Sequence, residues 1–372
     1  MPNDTHTQRL TDDLLAFIGE GVDQPDSDGR FNALALAVFA YQYQRNSAYR
    51  AFCRNRGVTP ATVSHWSEVP AVPTAAFKEL AIACFPIEEA VAVYHSSGTT
   101  GSTPSKHYLP TLALYEASLK PNFAAHVLPE GEPMPMLILG PSPRQAPHSS
   151  LAHMLEVVRR TWGTPDSDYY LDERGLQRDR LTAALRRAEE DGRPVCLLGT
   201  AFAFVHILDY CSETGVRFRL PPGSRIMDTG GYKGRSREVA KDKLYGLYAS
   251  LLGVPQDHVV NEYGMTEMGT QFYDNVLWDA RRGLQRPRFK VVPPWARTVV
   301  ADPETLEPAP RGSVGLLRHY DLANLGSAMA VQTDDLGVET GDGFEIVGRA
   351  SGAEARGCSI AIDELLGNAP GR

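Results

Sequence analysis

The sequence predicts a mixed α/β fold in which mostly parallel sheets are flanked by helices and a small β-barrel-like subdomain follows. Between about residues 134 and 261, short apolar runs alternate with longer segments of helical periodicity, the pattern of parallel strands joined by crossover helices. From Pro287 onward, short strand-like runs are separated by Pro and Gly turns, which favours antiparallel pairing. We therefore expect ligands to gather at the carboxyl ends of the parallel strands.

The first third of the chain is predicted to be largely helical. Its pattern indicates helices at residues 8–19 and 30–56, a short amphipathic helix within VPAVPTAAFKEL at 69–80, a buried strand at 91–94 and a helix at 111–125. In the middle of the chain we predict strands at 134–139, 195–198, 226–228 and 258–261, and helices at 149–160, 200–211 and 237–252. The strands predicted for the last part lie within 288–292, 296–302, 313–321 and 344–349.

Length and composition agree with a globular enzyme. The 372 residues are 42% hydrophobic and 22% charged, and residues 1–330 are predicted to form the main domain, with a β-rich subdomain at about 287–330 and a rudimentary C-terminal segment at 331–372. The net charge of −8 does not favour nucleic-acid binding. No apolar run has the length of a membrane span and the N-terminal stretch is polar, so we expect a cytoplasmic protein. The sequence does not indicate an oligomeric state.

The cysteines and lysines limit the chemistry that the chain can perform. The five cysteines include no CxxC pair, so neither a disulfide framework nor a zinc site is indicated. Of the 37 basic residues, most are arginines, and the lysines are at positions 78, 106, 120, 233, 241, 243 and 290. A mechanism that needs a lysine must use one of these.

A run of hydroxyl residues and glycines follows the strand predicted at 91–94. Small side chains let the backbone close around an anion, while N–H and O–H groups donate to its oxygens, so this run predicts a triphosphate-binding loop. It lacks the Gly-Lys-Ser/Thr ending of a P-loop. The alternative interpretation is a solvated linker. The candidate ATP-binding residues in the loop are Ser96, Ser97, Gly98, Thr99, Thr100 and Gly101.

A second candidate site, NEYGMTE, follows the strand predicted at 258–261. A carboxylate there would suit Mg²⁺, which bridges phosphate oxygens and neutralises charge as pyrophosphate leaves. We predict Glu267 as the metal ligand and Tyr263, Gly264 and Thr266 as nucleotide contacts. A charged helix N-terminus is the alternative interpretation.

A third candidate lies between these two, in DTGGYKG. Gly230 and Gly231 would let a flat base approach the backbone, and Tyr232 offers a stacking face, so we predict an adenine site here. A tight strand-to-helix turn explains the same residues without a ligand.

In this order, the first two motifs resemble those of the adenylate-forming superfamily, which includes acyl-CoA synthetases and nonribosomal adenylation domains. QTDDLG resembles the Thr-Gly-Asp signature of that superfamily, with Asp334 in place of the usual glycine. The resemblance implies that Asp335 binds the ribose hydroxyls. It also implies that the Gly348-Arg349 segment corresponds to the start of the mobile C-terminal domain, with Arg349 near the nucleotide.

The chain departs from the superfamily at this point, because only 23 residues follow Arg349. The lysine that the C-terminal domain supplies for adenylation therefore has no counterpart in the sequence after Lys290. We name Lys233 as the candidate replacement, with Arg349 and Arg356 as further candidates.

The tail contains a cysteine in a setting that favours thiolate. A short helix predicted to begin near Ser359 would place Cys358 at its N-terminus, two residues from Arg356. A buried small residue is the alternative interpretation. With YHSSGTTG, GTAF, DTGGYKG and YGMTE, the RGCS ending resembles the acyl-protein synthetases of the bacterial luminescence fatty-acid reductase complex, the LuxE family.

This resemblance implies the fold of the adenylate-forming N-terminal domain and a two-step reaction. ATP and Mg²⁺ would convert a carboxylic acid, fatty in that family, to acyl-AMP, and Cys358 would accept the acyl group before an NADPH-dependent reductase partner takes it. Phe202, Phe204 and His206 are predicted to border the acyl pocket. Two alternatives remain open: transfer to coenzyme A or a carrier protein, as in phenylacetate–CoA ligases, and a non-catalytic nucleotide-binding subunit.

Overall fold

The computed structural model describes residues 5–24, 27–96, 103–230 and 239–350. The chain divides into two compact units. Unit 1 comprises Met1–Asn122, Met265–Phe272 and Phe289–Arg372, and unit 2 comprises Phe123–Gly264 and Tyr273–Arg288. Within the described residues, no helix is both long and apolar enough to cross a membrane.

The helices and strands of the described residues follow in chain order. The helices are α1 (Thr5–Gly19), α2 (Asp28–Arg45), α3 (Ser47–Asn55), α4 (Ala76–Glu79), α5 (Ala113–Val127), α6 (Ser150–Trp162), α7 (Arg178–Glu190), α8 (Ala201–Thr214), α9 (Lys241–Leu247) and α10 (Val276–Arg282). The strands are β1 (Val72–Pro73), β2 (Ala92–His95), β3 (Lys106–Leu109), β4 (Met136–Leu139), β5 (Asp168–Tyr169), β6 (Leu171–Asp172), β7 (Gly175–Leu176), β8 (Cys196–Thr200), β9 (Arg225–Thr229), β10 (Val259–Tyr263), β11 (Phe272–Asp274), β12 (Lys290–Val291), β13 (Ala296–Ala301), β14 (Val314–Asp321), β15 (Ala330–Thr340) and β16 (Gly343–Arg349).

Unit 2 contains the parallel sheet that the alternating pattern predicts. Its strands lie in the order β10-β9-β8-β4-β5, and each neighbouring pair is parallel. The core lies between this sheet and helices such as α7 and α8, where Leu181, Leu185 and Phe204 are fully buried. The prediction of parallel strands flanked by helices is confirmed, and the carboxyl ends of β8, β9 and β10 meet at one edge of the sheet.

Unit 1 contains the β-rich part of the chain. Strands β13-β14-β15-β16-β12 pair in antiparallel fashion, and β1 pairs in parallel with β15. Strands β2 and β3 form a separate antiparallel pair. The antiparallel texture predicted from Pro287 onward is therefore present, but it continues to Arg349, past the predicted boundary at residue 330, which is the first residue of β15.

Three elements differ from their prediction. The helix predicted at 30–56 is two helices, because Asn46 has an extended backbone and its side chain caps Tyr49 N at the start of α3. The run at 91–94 was predicted as a buried strand, but Ala92 and Val93 are only half-buried and only Tyr94 is buried. The helix predicted at 237–252 is shorter and ends in a π turn, Tyr248–Leu252.

Strand β14 buries a histidine, from which we predict a pH dependence of stability. His319 is fully buried between the rings of Phe272 and Phe344, at centroid distances of 4.9 and 5.5 Å. Burial lowers the pKa of His319 to about 3. Below about pH 6.5, His319 binds a proton in the unfolded chain but not in the folded chain. The stability that the neutral His319 contributes is therefore complete above that pH and is lost as the pH falls toward 3.

The measurement is the free energy of unfolding in urea across this pH range. Between about pH 4 and 6, the free energy of unfolding of the wild type should rise with pH more steeply than that of His319→Leu. We expect the difference in slope to be about 1.4 kcal/mol per pH unit, the value for uptake of one proton on unfolding. His6→Gln, which changes an exposed histidine on α1, is the matched control. Equal slopes in wild type and His319→Leu would contradict the prediction.

Candidate active site

The two ends of the predicted phosphate loop are joined in unit 1. Ser96 follows β2 and Ser105 precedes β3. The backbone N–H of Ser96 donates to the carbonyl of Ser105 at 3.0 Å, and the N–H of Ser105 donates to Ser96 Oγ at 2.9 Å. Residues 97–102 lie outside the described part of the chain. The two strands on either side of the run predicted to bind phosphate, β2 and β3, therefore pair with each other in antiparallel fashion.

The base of this loop contacts the predicted metal ligand. The hydroxyl of Ser105 donates to Oε1 of Glu267, and the two side chains are buried, with Glu267 6% exposed. Burial raises the pKa of Glu267, while the hydrogen bond from Ser105 and the positive charges of Lys78 and Arg349 oppose that rise. The positive charges of Lys78 and Arg349 therefore both act on the carboxylate that contacts the loop base.

The main chain of the YGMTE motif is held by polar side chains that the sequence analysis did not identify. His107 Nδ1 donates to the carbonyl of Thr266 at 2.7 Å, and its Nε2 lies 3.0 Å from Asn324 Oδ1. Asn324 Nδ2 donates to the carbonyls of Glu267 and Ala328 at 2.8 and 2.7 Å. These bonds fix the backbone from which the Glu267 side chain projects.

Asp321 holds the residues that follow Glu267. Its carboxylate accepts hydrogen bonds from the N–H groups of Gly269 and Thr270 at 2.8 and 2.9 Å, and from the Thr270 hydroxyl at 2.6 Å. It also accepts from Ala323 N at 2.9 Å and is fully buried. Burial raises the pKa of Asp321, and these donors oppose that rise. Its role is to position the backbone after the motif.

The predicted ribose-binding residue lies on β15. Asp335 is directly opposite Arg349 on β16, and Arg349 Nε lies 3.6 Å from Asp335 Oδ1. The Asp335 side chain is 23% exposed, so it remains accessible to a hydroxyl donor. Its N–H donates to Thr333 Oγ1 at 3.1 Å, and Thr333 donates in turn to the carbonyl of Leu317 at 2.8 Å. Asp335 and Glu267 therefore share a cationic neighbour in Arg349.

In unit 2, polar residues meet at the carboxyl ends of three parallel strands. Thr229 lies opposite Thr200 on one side and Glu262 on the other, and its hydroxyl donates to Glu262 Oε2. Asp228 accepts from Asn261 Nδ2 at 2.7 Å and from the Tyr248 hydroxyl at 3.1 Å. The sheet thus presents ordered acceptors at the edge where the sequence predicted ligand binding.

The predicted adenine and acyl residues in unit 2 have different environments. Gly230 follows β9 with φ +69°, a left-handed conformation that favours glycine. Phe202 and His206 are half-buried on one face of α8, with their rings 4.6 Å apart. Phe204 is instead fully buried in the core against Tyr248, at a centroid distance of 5.2 Å. Phe204 is thus a core residue of unit 2, and its role beside an acyl pocket stays a prediction.

The remaining predicted site residues divide into two groups. Tyr263 ends β10 in unit 2 and is followed by the exposed Gly264, while Ser96, Thr266, Glu267, Asp335 and Arg349 are in unit 1. The predicted residues outside the described part are Ser97, Gly98, Thr99, Thr100, Gly101, Gly231, Tyr232, Lys233, Arg356 and Cys358.

The donor set around Glu267 fits a magnesium ion held jointly with a nucleotide. The described ranges contain no group of three or more His, Cys, Asp or Glu side chains arranged to hold a metal. Mg²⁺ is commonly bound through one or two carboxylates together with substrate phosphates, so a single carboxylate beside the phosphate loop is a suitable protein contribution. Oxygen donors, rather than sulfur or nitrogen, are what this ion prefers.

Solved structures identify the fold. The fold is similar to an open conformation of 2-hydroxyisobutyryl-CoA ligase in complex with 2-HIB-AMP and CoA, with a TM-score of 0.60 and 16% identity over 86% of this chain and 69% of that chain. The same ligase in its postadenylation state, with R3-HIB-AMP, gives a TM-score of 0.61 and 16% identity over 94% of this chain and 72% of that chain. The chain thus has the fold of the adenylate-forming ligases.

Sequence comparisons define the family. The family described as acyl-protein synthetase, LuxE, matches residues 21–367. Long-chain-fatty-acid--luciferin-component ligases from Vibrio harveyi and Aliivibrio fischeri are 23% and 24% identical over 344 and 347 residues, covering 90% of this chain and 87% and 88% of theirs. The chain belongs to the LuxE family of acyl-protein synthetases, which confirms the resemblance inferred from its motifs.

Proposed function

We propose that the protein uses ATP to activate a fatty acid as acyl-AMP and then binds the acyl group as a thioester of Cys358. The family and the adenylate-forming fold support the first step. The observation that carries it is the contact between Ser105, at the base of the Ser/Thr/Gly loop, and the buried Glu267. This contact joins the anion-binding loop to a carboxylate suited to Mg²⁺. The relatives named as long-chain-fatty-acid ligases support the choice of acid.

The reaction has two balanced steps. A carboxylate oxygen of the acid attacks the α-phosphorus of ATP, so an O–P bond forms, the bond to the bridging oxygen breaks and pyrophosphate leaves. The Cys358 thiolate then attacks the acyl carbon, and AMP leaves with the electrons of the acyl–oxygen bond. An acyl reductase partner would use the resulting thioester. Phe202 and His206 are the described residues that we propose to border the acyl chain.

The residues of unit 1 have separate roles in this proposal. Ser96 and the loop that follows it would donate to the phosphates, and Asp335 would accept from the ribose hydroxyls. When bound by Glu267 and the phosphates, Mg²⁺ would neutralise the charge that develops on pyrophosphate. Thr266 would contact phosphate, and Arg349 would neutralise charge beside Asp335. Gly230, Gly231 and Tyr232 remain our candidates for the adenine contacts, and Tyr263 and Gly264 for further contacts with the nucleotide.

The proposal is tested by following the acyl group. Incubation with radiolabelled dodecanoate, ATP and Mg²⁺ should give a covalently labelled protein that hydroxylamine releases, because thioesters react readily with this nucleophile. Cys358→Ala should abolish the label while retaining ATP–pyrophosphate exchange, because it removes only the acceptor. Cys211→Ala, which changes a buried cysteine of α8, should keep both activities.

Other outcomes identify the alternatives. Label that persists in Cys358→Ala contradicts Cys358 as the acceptor. Acyl-CoA formation at the wild-type rate in Cys358→Ala on addition of coenzyme A would identify an acyl-CoA ligase. Absence of exchange in the wild type, with octanoate, dodecanoate and hexadecanoate each tested, would favour a non-catalytic nucleotide-binding subunit.

A further inference from the structure

Lys78 lies in a segment that the structure connects to two of the nucleotide motifs. Strand β1 pairs in parallel with β15, with Pro73 opposite Gln332, and Thr74 N–H donates to the Gln332 carbonyl at 3.0 Å. This pairing places the start of the segment beside the QTDDLG motif. The chain then turns directly into α4, so its path is set before the lysine is reached.

The other end of the segment is fixed beside the YGMTE motif. Phe77 is 1% exposed, and its ring meets the His107 ring edge-on at a centroid distance of 6.4 Å. His107 is the residue whose Nδ1 donates to the Thr266 carbonyl. Lys78 follows Phe77 and is exposed, so the buried aromatic ring anchors the short helix that carries the lysine, and the positive charge of Lys78 acts on Glu267.

The charge of Lys78 is available to a ligand. Its ammonium forms no hydrogen bond or ion pair with the residues of the described ranges, whereas Arg349, the other cation whose charge acts on Glu267, also pairs with Asp335. Lysine presents a compact positive charge on a flexible stem. An exposed ammonium whose charge acts on the carboxylate at the base of the predicted phosphate loop is suited to a phosphate oxygen.

We propose that Lys78 is a catalytic residue whose ammonium contacts a phosphate oxygen of ATP as acyl-AMP forms. The inference rests on the proposed function and extends it. The attacking carboxylate and the α-phosphate are both anionic, so the reaction needs a cation where their charges approach each other. Lys78 would supply this charge from unit 1, and Lys233 would then not be required for it.

The test separates the two half-reactions in the full-length protein. Lys78→Met retains the aliphatic stem and removes the charge, so we expect ATP–pyrophosphate exchange to fall by about 100-fold or more, mainly in kcat. Acylation from synthetic dodecanoyl-AMP should be unchanged, because that step does not use ATP. Lys78→Arg should restore part of the exchange. Lys243→Ala, which changes an exposed lysine on the short helix α9, should behave as the wild type.

A second measurement uses the wild-type protein and does not depend on the folding of a variant. Acetylation of individual lysines by an amine-reactive ester is followed by mass spectrometry. We expect ATP and Mg²⁺ to slow modification of Lys78 several-fold and to leave Lys243 unchanged. Equal modification of Lys78 with and without ATP would overturn the proposal, as would exchange by Lys78→Met within about threefold of wild type.

The outcomes distinguish this inference from the function on which it rests. A wild type that shows no exchange contradicts the proposed function and, with it, the role of Lys78. A wild type that exchanges, together with an active Lys78→Met, contradicts only the role of Lys78. If Lys78→Met loses both half-reactions and unfolds at a lower temperature than wild type, the protection measurement decides the question.

Discussion

Glu267→Gln is expected to abolish adenylation without unfolding the protein. Glutamine retains an oxygen that can accept from Ser105 but cannot supply the negative charge that a magnesium ion requires. We expect ATP–pyrophosphate exchange to fall by at least about 100-fold, which is about 2.7 kcal/mol of transition-state stabilisation. Because the proposed metal would assist activation of the acid and not its transfer, acylation from synthetic acyl-AMP should continue.

Stability gives an independent readout of the same change. Burial raises the pKa of Glu267, which means that the folded protein disfavours the charged carboxylate. Neutral pH lies above the ordinary pKa of a glutamate, so at neutral pH this burial lowers the free energy of unfolding of the wild type. The neutral glutamine avoids that penalty, so the free energy of unfolding should be equal to or greater than that of wild type. Glu345→Gln, an exposed change on β16, is the matched control. Exchange at the wild-type rate in Glu267→Gln would contradict the assigned role.

Asp321→Ala is expected to cause the largest loss of stability. The change removes the acceptor of the N–H groups of Gly269, Thr270 and Ala323 and of the Thr270 hydroxyl, all of them in buried surroundings. Each buried donor left without a partner costs about 1–3 kcal/mol, so we expect a loss of more than about 3 kcal/mol in the free energy of unfolding. Urea unfolding at neutral pH measures it.

The comparison with Asp321→Asn tests the mechanism of that loss. Asparagine has the same shape but only one side-chain oxygen, so it should satisfy part of the donor set and give an intermediate stability. Asp257→Ala changes a side chain that is 72% exposed and serves as the surface control. If Asp321→Ala were as stable as this control, the carboxylate would not be responsible for positioning the segment after Glu267.

The fold was predictable where one local pattern determines one element. The alternation of apolar runs and helical segments between 134 and 261 predicted β4, β8, β9 and β10 because these strands are largely buried, whereas the exposed two-residue strand β5 was not predicted. The hairpin of β2 and β3 was not predicted, because four-residue strands show too little periodicity to indicate their partner. Strand β15 was missed because QTDDLG is polar, although Gln332 and Thr333 are 2% and 1% exposed and bond to the Leu317 carbonyl.

The residues of the candidate site also divide into those that the sequence could identify and those that it could not. Glu267 was identifiable because its motif combines residue types that bind metal and phosphate in a short stretch of sequence. The residues that hold its backbone could not be identified from sequence, because they contact it across 159, 57 and 52 residues of chain. These residues are His107, Asn324 and Asp321, respectively. The placement of the Lys78 segment beside the QTDDLG and YGMTE motifs likewise arises from strand pairing and aromatic packing, neither of which can be derived from the lysine's neighbours in sequence.

The paired hydrogen bonds between Ser96 and Ser105 affect the thermodynamics of ligand capture. Bringing the two ends of a flexible segment together has an entropy cost that grows with the logarithm of its length, by about 0.6 kcal/mol for each doubling. Here the hairpin forms during folding, so in the proposed function a phosphate group would meet a segment whose two ends are already joined. A substitution that opened the hairpin would therefore weaken affinity even if it changed no group that touches the anion.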